Sequence, residues 1–336
     1  MTTDKYGLED IIREFYYNEF KGYLKRAGIE IKGIRLRILE SSDLLPKLSH
    51  MINTYDINKL RQELHTIDKS LLEKISNYDN IYIINKENFR EFYIGEIYLL
   101  RQIYNTDDIN KLNKRILEYV VDVMENEKAA ATSVPETKEI YIIKDRVEKG
   151  IDEILNELGP TNINGPSIIR LGSPLFGVVS APLYTNGKNI KKDVAKVVAS
   201  NIIIHEAGHL IVKRNRSSDW ELSASALEYI MYIDMYNLLK YLETHKIIEE
   251  NIVACKKYIE KLISLVDYLT DKKNFPKSSP EKYVNVFRRA PYNLGECYAN
   301  IIIDRNKESP CINIRDVVEE VKSLSISDAL KRIIYY

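Results

Sequence analysis

Cysteine is nearly absent: Cys255, Cys297 and Cys311 are the three in a chain of 336 residues. So scattered and odd a trio fits neither a disulfide framework nor a cysteine-rich zinc site, and the expected setting is a reducing cytoplasm. A surplus of either charge is absent too. Lys and Arg number 49, as do Asp and Glu, for a formal net charge of zero. That gives no electrostatic case for nucleic acid or an acidic membrane as partner. No apolar run approaches the roughly 20 residues that span a bilayer, and Met1-Thr2-Thr3-Asp4-Lys5 carries no apolar signal segment. Histidine occurs five times and tryptophan once, so where they fall carries weight.

Core material is plentiful. Hydrophobic residues make up 45% of the chain, and its length allows one large domain or two modest ones. The first 130 residues read mostly as amphipathic helices, at about 8–27, 43–53, 57–77, 87–104 and 107–127. Strand-like runs occur at Asn80-Ile81-Tyr82-Ile83-Ile84-Asn85 and Glu139-Ile140-Tyr141-Ile142-Ile143-Lys144. Between 127 and 138 an Ala run and Ser133-Val134-Pro135 read as a linker. The stretch from Leu175 to Ile190 reads as two strands with a hairpin turn at Asn186-Gly187. Pro174 and Pro182 would confine those strands to a sheet edge. Helices are expected again at about 219–243, 247–269, 292–304 and 315–333.

Two of the five histidines lie in Ile204-His205-Glu206-Ala207-Gly208-His209-Leu210. Val194, Val197, Val198, Ile202, Ile203 and Ile204 recur upstream at helical spacing, so the motif sits inside a buried helix. A lone histidine on such a face is usually an ordinary core residue. A pair at i and i+4 differs, because both imidazoles then reach one metal, and Glu206 between them can take a proton from a water held there. A carboxylate in an apolar helix is costly without such a partner. Gly208 costs about 1 kcal/mol of helix propensity relative to Ala, which implies that something approaches the backbone closely.

A hydrolytic zinc needs a third protein ligand and one open position. Val212 and Asn215 stand where a third histidine would follow in the longer H-E-x-x-H-x-x-G-x-x-H pattern, and no cysteine precedes Cys255. A carboxylate is the better candidate, and within the segment Ser217 to Tyr229 the candidates are Glu221 and Glu228. If the first helix runs to Arg214 it overshoots the metal by about 10 Å, and an antiparallel return reaches that level near Glu228. If it stops just after His209, Glu221 is in range. Ser218 and Glu221 also read as a capping box.

Here the chain resembles the gluzincin superfamily of zinc peptidases, whose second helix carries E-x-x-(A/S)-x-x-x-E. Glu221, Ala224 and Glu228 match that pattern. The resemblance implies that Glu221 is a zinc ligand and that Glu228 buttresses a zinc-bound histidine. Trp220 sits close to the aromatic that often precedes the ligand. The connection from His209 to Glu221 is shorter than in the aminopeptidases and oligopeptidases of the group. Further on, Tyr292-Asn293-Leu294-Gly295 near the expected start of a helix is similar to the oligoendopeptidase and thimet-oligopeptidase branch. There a tyrosine donates to the oxyanion, a role that would fall on Tyr292, with Tyr298 and the Arg288/Arg289 pair as alternatives.

The expectation is therefore a mainly helical α+β protein, zincin-like by resemblance, with an edge strand beside the motif helix. A helical region over 1–130 would precede a catalytic region over 131–336. His205, His209 and Glu221 would hold Zn2+, with Glu206 as general base. A peptide or protein is the expected substrate, and the edge strand would bind it in extended form. Neither nucleic acid nor membrane is an expected partner. The rival reading is a catalytically silent binding protein on the same scaffold, and the presence of Glu206 argues against it.

Overall fold

The computed structural model describes residues 5–30, 33–40, 130–134, 138–159, 165–172, 177–212, 217–270, 280–309 and 312–336. The helices expected at 43–53, 57–77, 87–104 and 107–127, and the strand at 80–85, lie outside them. The chain divides into two compact units. One comprises Met1–Leu39, Ala130–Ile259 and Ala290–Tyr336, and the other Glu40–Ala129 and Glu260–Arg289. His205, Glu206, His209, Glu221, Glu228 and Tyr292 all belong to the first unit. The described residues are mostly helical, with two small sheets. None of their helices is long and apolar enough to cross a membrane.

The chain begins with α1 (Leu8–Glu14), a π-helical segment (Phe15–Phe20) and α2 (Lys21–Arg26), which together fill the helix expected at 8–27. The first sheet holds β1 (Arg35–Leu39), β2 (Ala131–Val134) and β3 (Glu139–Ile143), in the order β1-β3-β2. β1 runs parallel to β3 with Arg35 opposite Glu139, and β2 runs antiparallel to it with Ala131 opposite Ile142. Ile140, Ile142 and Ile143 are buried, as suits a central strand. The stretch expected as a linker therefore contains a strand. Thr132 and Val134 are β-branched and favour it, and pairing with the strongly apolar β3 outweighs the flanking Ala run and Pro135.

After α3 (Lys144–Leu158), a second sheet joins β4 (Ser167–Leu171) to β5 (Ala181–Thr185) in antiparallel register, with Arg170 opposite Pro182. Pro182 is thus in a two-stranded sheet, where it can face outward. The expected hairpin at Asn186-Gly187 is not there: β5 pairs backward with β4, and the turn leads into a helix. Gly187 N–H donates to Thr185 Oγ1, Lys188 N–H to Asn186 Oδ1, and Lys192 N–H to Asn189 Oδ1, the last being an N-cap. An Asn-Gly pair serves a helix entry as readily as a hairpin, and Asn189 two residues on decides between them.

The helix so opened, α4 (Ile190–Ile211), is the buried motif helix. α5 (Ser217–Met235) follows and is shorter than expected, because Asn237 turns left-handed at φ 50. α6 (Leu242–Thr270) and α7 (Pro280–Arg305) come next. α7 does not open at 292: it runs through Pro291, losing one helical hydrogen bond there. The helix expected at 315–333 is two, α8 (Ile314–Ser323) and α9 (Ile326–Tyr335), broken where Ser325 and Asp328 form a capping box.

The core of the first unit centres on α5. Leu222, Ser223, Ala224, Ser225, Ala226 and Leu227 are buried in succession, so this helix is covered on every side. Small side chains permit that. A Cβ on Gly208 of α4 would lie 3.1 Å from Ala224 Cα, and one on Gly295 of α7 would lie 2.3 Å from Leu222 O. The close approach expected at Gly208 is thus made by α5.

α6 and α7 are joined by a disulfide between Cys255 and Cys297, both fully buried, with Cα atoms 5.6 Å apart. This corrects the expectation of unpaired cysteines. The two positions are 42 residues apart in sequence, and only the packing of the helices brings them together. The cysteines accordingly give no support for a reducing compartment, and Cys311 lies outside the described residues.

Candidate metal centre

The last turns of α4 present His205, Glu206 and His209, and α5 presents Glu221 near its start and Glu228 just past its midpoint. α4 ends at Ile211, with Val212 N–H donating to Gly208 O, and α5 begins at Ser217. That is the early stop which puts Glu221 within range of the histidines. Glu221 Oε2 lies 3.3 Å from His205 Nε2 and 3.3 Å from His209 Nε2. One ligand atom from each residue falls within 4.8 Å of the others.

The charges within this cluster oppose burial. Burial alone would lower the His205 pKa, but Glu221, Glu228 and Glu206 outweigh it and hold the imidazole well above its ordinary value. Burial would raise Glu221, yet the two histidines hold its carboxyl far below the usual range. For Glu206 burial wins. Its carboxyl is pushed up, with His209, His205 and a hydrogen bond from the Ser133 side chain pulling the other way.

Glu228 makes a second contact on the first histidine, its Oε2 lying 2.9 Å from His205 Nδ1. A carboxylate accepts, so Nδ1–H donates to Glu228, which leaves Nε2, the nitrogen facing Glu221, as the one able to take a metal. The chemistry of this donor set fits a metal. Glu221 Oε2 is buried and makes no hydrogen bond among the described residues, an unfavourable arrangement for a buried polar atom. Two imidazole nitrogens and one carboxylate oxygen are a set that Zn2+ takes readily while keeping a fourth position open.

Tyr292 of α7 stands beside this cluster. Its ring stacks on His205 with centroids 5.7 Å apart and planes 12° from parallel. The close seat of Gly295 on α5 brings α7 in one turn further along, and Tyr292 keeps 36% of its surface exposed. Tyr298 is not at the site. It is buried, and its hydroxyl is engaged by Glu320 and Arg332. Arg288 and Arg289 fall in the second unit.

Sequence reasoning missed Ser133, whose strand β2 packs on α4. It had placed the edge strand at 175–190. β5 does pack on α4, but the strand that touches Glu206 is β2, inside the supposed linker. Comparison with protein-family models, with characterised proteins and with solved structures gave no significant match to this chain.

Proposed function

We propose that the chain is a zinc-dependent peptidase with a zincin-like site, in which His205, His209 and Glu221 hold the ion. The observation that carries this is the convergence of their three ligand atoms within 4.8 Å, beside a buried Glu206. When bound, Zn2+ supplies Lewis acidity to a water and to the scissile carbonyl.

The chain's own residues do the rest. Glu206 accepts the proton of the attacking water and returns it to the leaving amine. Burial favours that role, because it pushes the carboxyl up and so makes it a stronger proton acceptor than an exposed glutamate. Ser133 holds the Glu206 carboxyl from the side of β2. Tyr292, stacked on His205 and partly exposed, has a phenol able to donate to a developing oxyanion.

β2 offers a surface for an extended peptide. Ile143 N–H donates to Ala130 O, which fixes the hydrogen-bonding parity of the β2–β3 ladder. The main-chain groups of Ala131 and Ser133 therefore face away from β3, on the open side of the sheet as far as the described residues go. A peptide adding there forms main-chain bonds of no sequence preference, and Ser133 anchors both the strand and the general base.

The test is turnover of a quenched-fluorescent peptide library by zinc-loaded protein and by Glu206→Gln. Hydrolysis by the wild type with a loss of several orders of magnitude in the variant, zinc content unchanged, is expected. Equal turnover by both, or none by the wild type on any library, overturns the proposal.

A further inference from the structure

Resting on that reading of the site, we infer that Trp220 is a positioning residue for His209, acting through its indole as Glu228 acts on His205 through its carboxylate. The two histidines are not held alike. His205 has a carboxylate at Nδ1. His209 does not: its Nδ1 is buried and makes no hydrogen bond among the described residues. A ligating imidazole normally has its second nitrogen anchored, and that anchor sets ring orientation and metal affinity. Here another group must do it.

Trp220 holds His209 at two points. Its Nε1–H donates to the main-chain oxygen of His209 at 2.8 Å. Its ring meets the imidazole edge to face, with centroids 4.9 Å apart and planes at 78°. The accepting carbonyl lies in the last turn of α4, where main-chain oxygens have no helical partner. Val212 N–H already caps Gly208 O, so the indole takes the next oxygen along. The imidazole is also edge-on to His205, centroids 4.8 Å apart and planes at 88°. Aromatic contacts thus fix the ring where a hydrogen bond does not.

Trp220 is also the residue before Glu221. A side chain of α5 bonded to the end of α4 sets how those helix ends meet, and with it the reach of Glu221 Oε2 to both Nε2 atoms. One side chain therefore positions two of the three ligands. It supplies no donor atom to the candidate site, which makes its effect readable in affinity and geometry and not in chemistry alone.

The experiment uses the full chain and zinc itself. Chelator competition gives the zinc affinity of wild type, Trp220→Phe and Trp220→Leu, and visible absorption of the Co2+ form reports donor geometry. Trp220→Leu should lose roughly 10–100-fold in affinity. Trp220→Phe, which keeps a ring but no N–H, should fall between it and wild type, with a displaced Co2+ spectrum. Tyr184→Phe, on the exposed face of β5, should alter neither. Should the Leu variant fail to fold, the Phe variant decides. Wild-type affinity and spectrum in the folded Trp220 variants would overturn the inference while leaving the metal site intact. A wild type that binds no zinc would overturn the site reading itself, and the role of Trp220 with it.

Discussion

Gly208 of α4 and Ala224 of α5 meet backbone to backbone between the two helices that carry the candidate ligands, with a Cβ on Gly208 placed 3.1 Å from Ala224 Cα. The neighbouring atom is main chain, so it cannot rotate aside. Gly208→Ala should gain about 1 kcal/mol of helix propensity and lose about 1–3 kcal/mol to overpacking. Stability by urea denaturation should therefore fall by about 0–2 kcal/mol. Zinc affinity should fall further than stability, because the helices must separate and Glu221 moves with α5.

Gly295→Ala meets a harder obstacle, Leu222 O at 2.3 Å, and Ser225 Cβ at 3.0 Å. No relaxation of a side chain relieves that first contact, so the variant should lose about 1–3 kcal/mol in chemical denaturation. A stability equal to wild type would mean that α7 does not seat on α5 as described.

Glu221→Ala should weaken zinc binding more than Glu228→Ala does. The first carboxylate lies 3.3 Å from both Nε2 atoms, whereas the second touches only His205 Nδ1. Removing an orienting carboxylate typically costs roughly 10–100-fold in affinity, and removing a ligand costs more. Chelator competition ranks them, and the reverse order would transfer the ligand role to Glu228.

Denatured, non-reduced protein should offer one alkylatable thiol and reduced protein three, read by intact mass. Cys255→Ser should lose stability of about 4 kcal/mol by the loop-entropy estimate for a 42-residue separation. Unfolding midpoints with and without reductant would then differ for wild type and coincide for the variant.

Glu320 of α8 ties three helices, accepting from Arg305 of α7 at 3.1 Å, from Arg332 of α9 at 2.8 Å, and from Tyr298. Burial would raise its pKa, but Tyr298 and the two arginines outweigh it and hold the carboxyl below its ordinary value. A depressed pKa contributes stability that is present above the unfolded-state value and is lost as pH falls through the folded one. Glu320→Gln should therefore be less stable than wild type at pH 7, by about 1 kcal/mol or less for so exposed a network. The gap should close below about pH 4, as followed by denaturation at a series of pH values.

The motif helix was legible because Val194 to Ile204 repeat at one period and nothing breaks them before Ile211. Glu221 and Glu228 were legible as a pair, but choosing between them needed the end of α4, a boundary of one or two residues that periodicity does not fix. β2 was not legible. Four small residues carry little pattern, and what makes Ala131–Val134 a strand is its pairing with β3. The same holds for Cys255 and Cys297, and for Trp220, whose contacts with His209 are tertiary. Pro291 misled by a sound local rule. α7 keeps its helix through that proline because Ala290, Leu294 and Cys297 on either side are buried.

The site unit is built from three separated stretches of chain, with α7 from Ala290 onward in the last of them. During synthesis, His205, His209 and Glu221 all emerge well before Tyr292, Gly295 and Cys297. The three candidate ligands are thus complete on the ribosome while the helix that covers α5 and bears the phenol is still unmade. In the proposed enzyme, the capacity to bind an ion precedes the capacity to cleave, and a nascent chain is spared its own activity by the order of its residues.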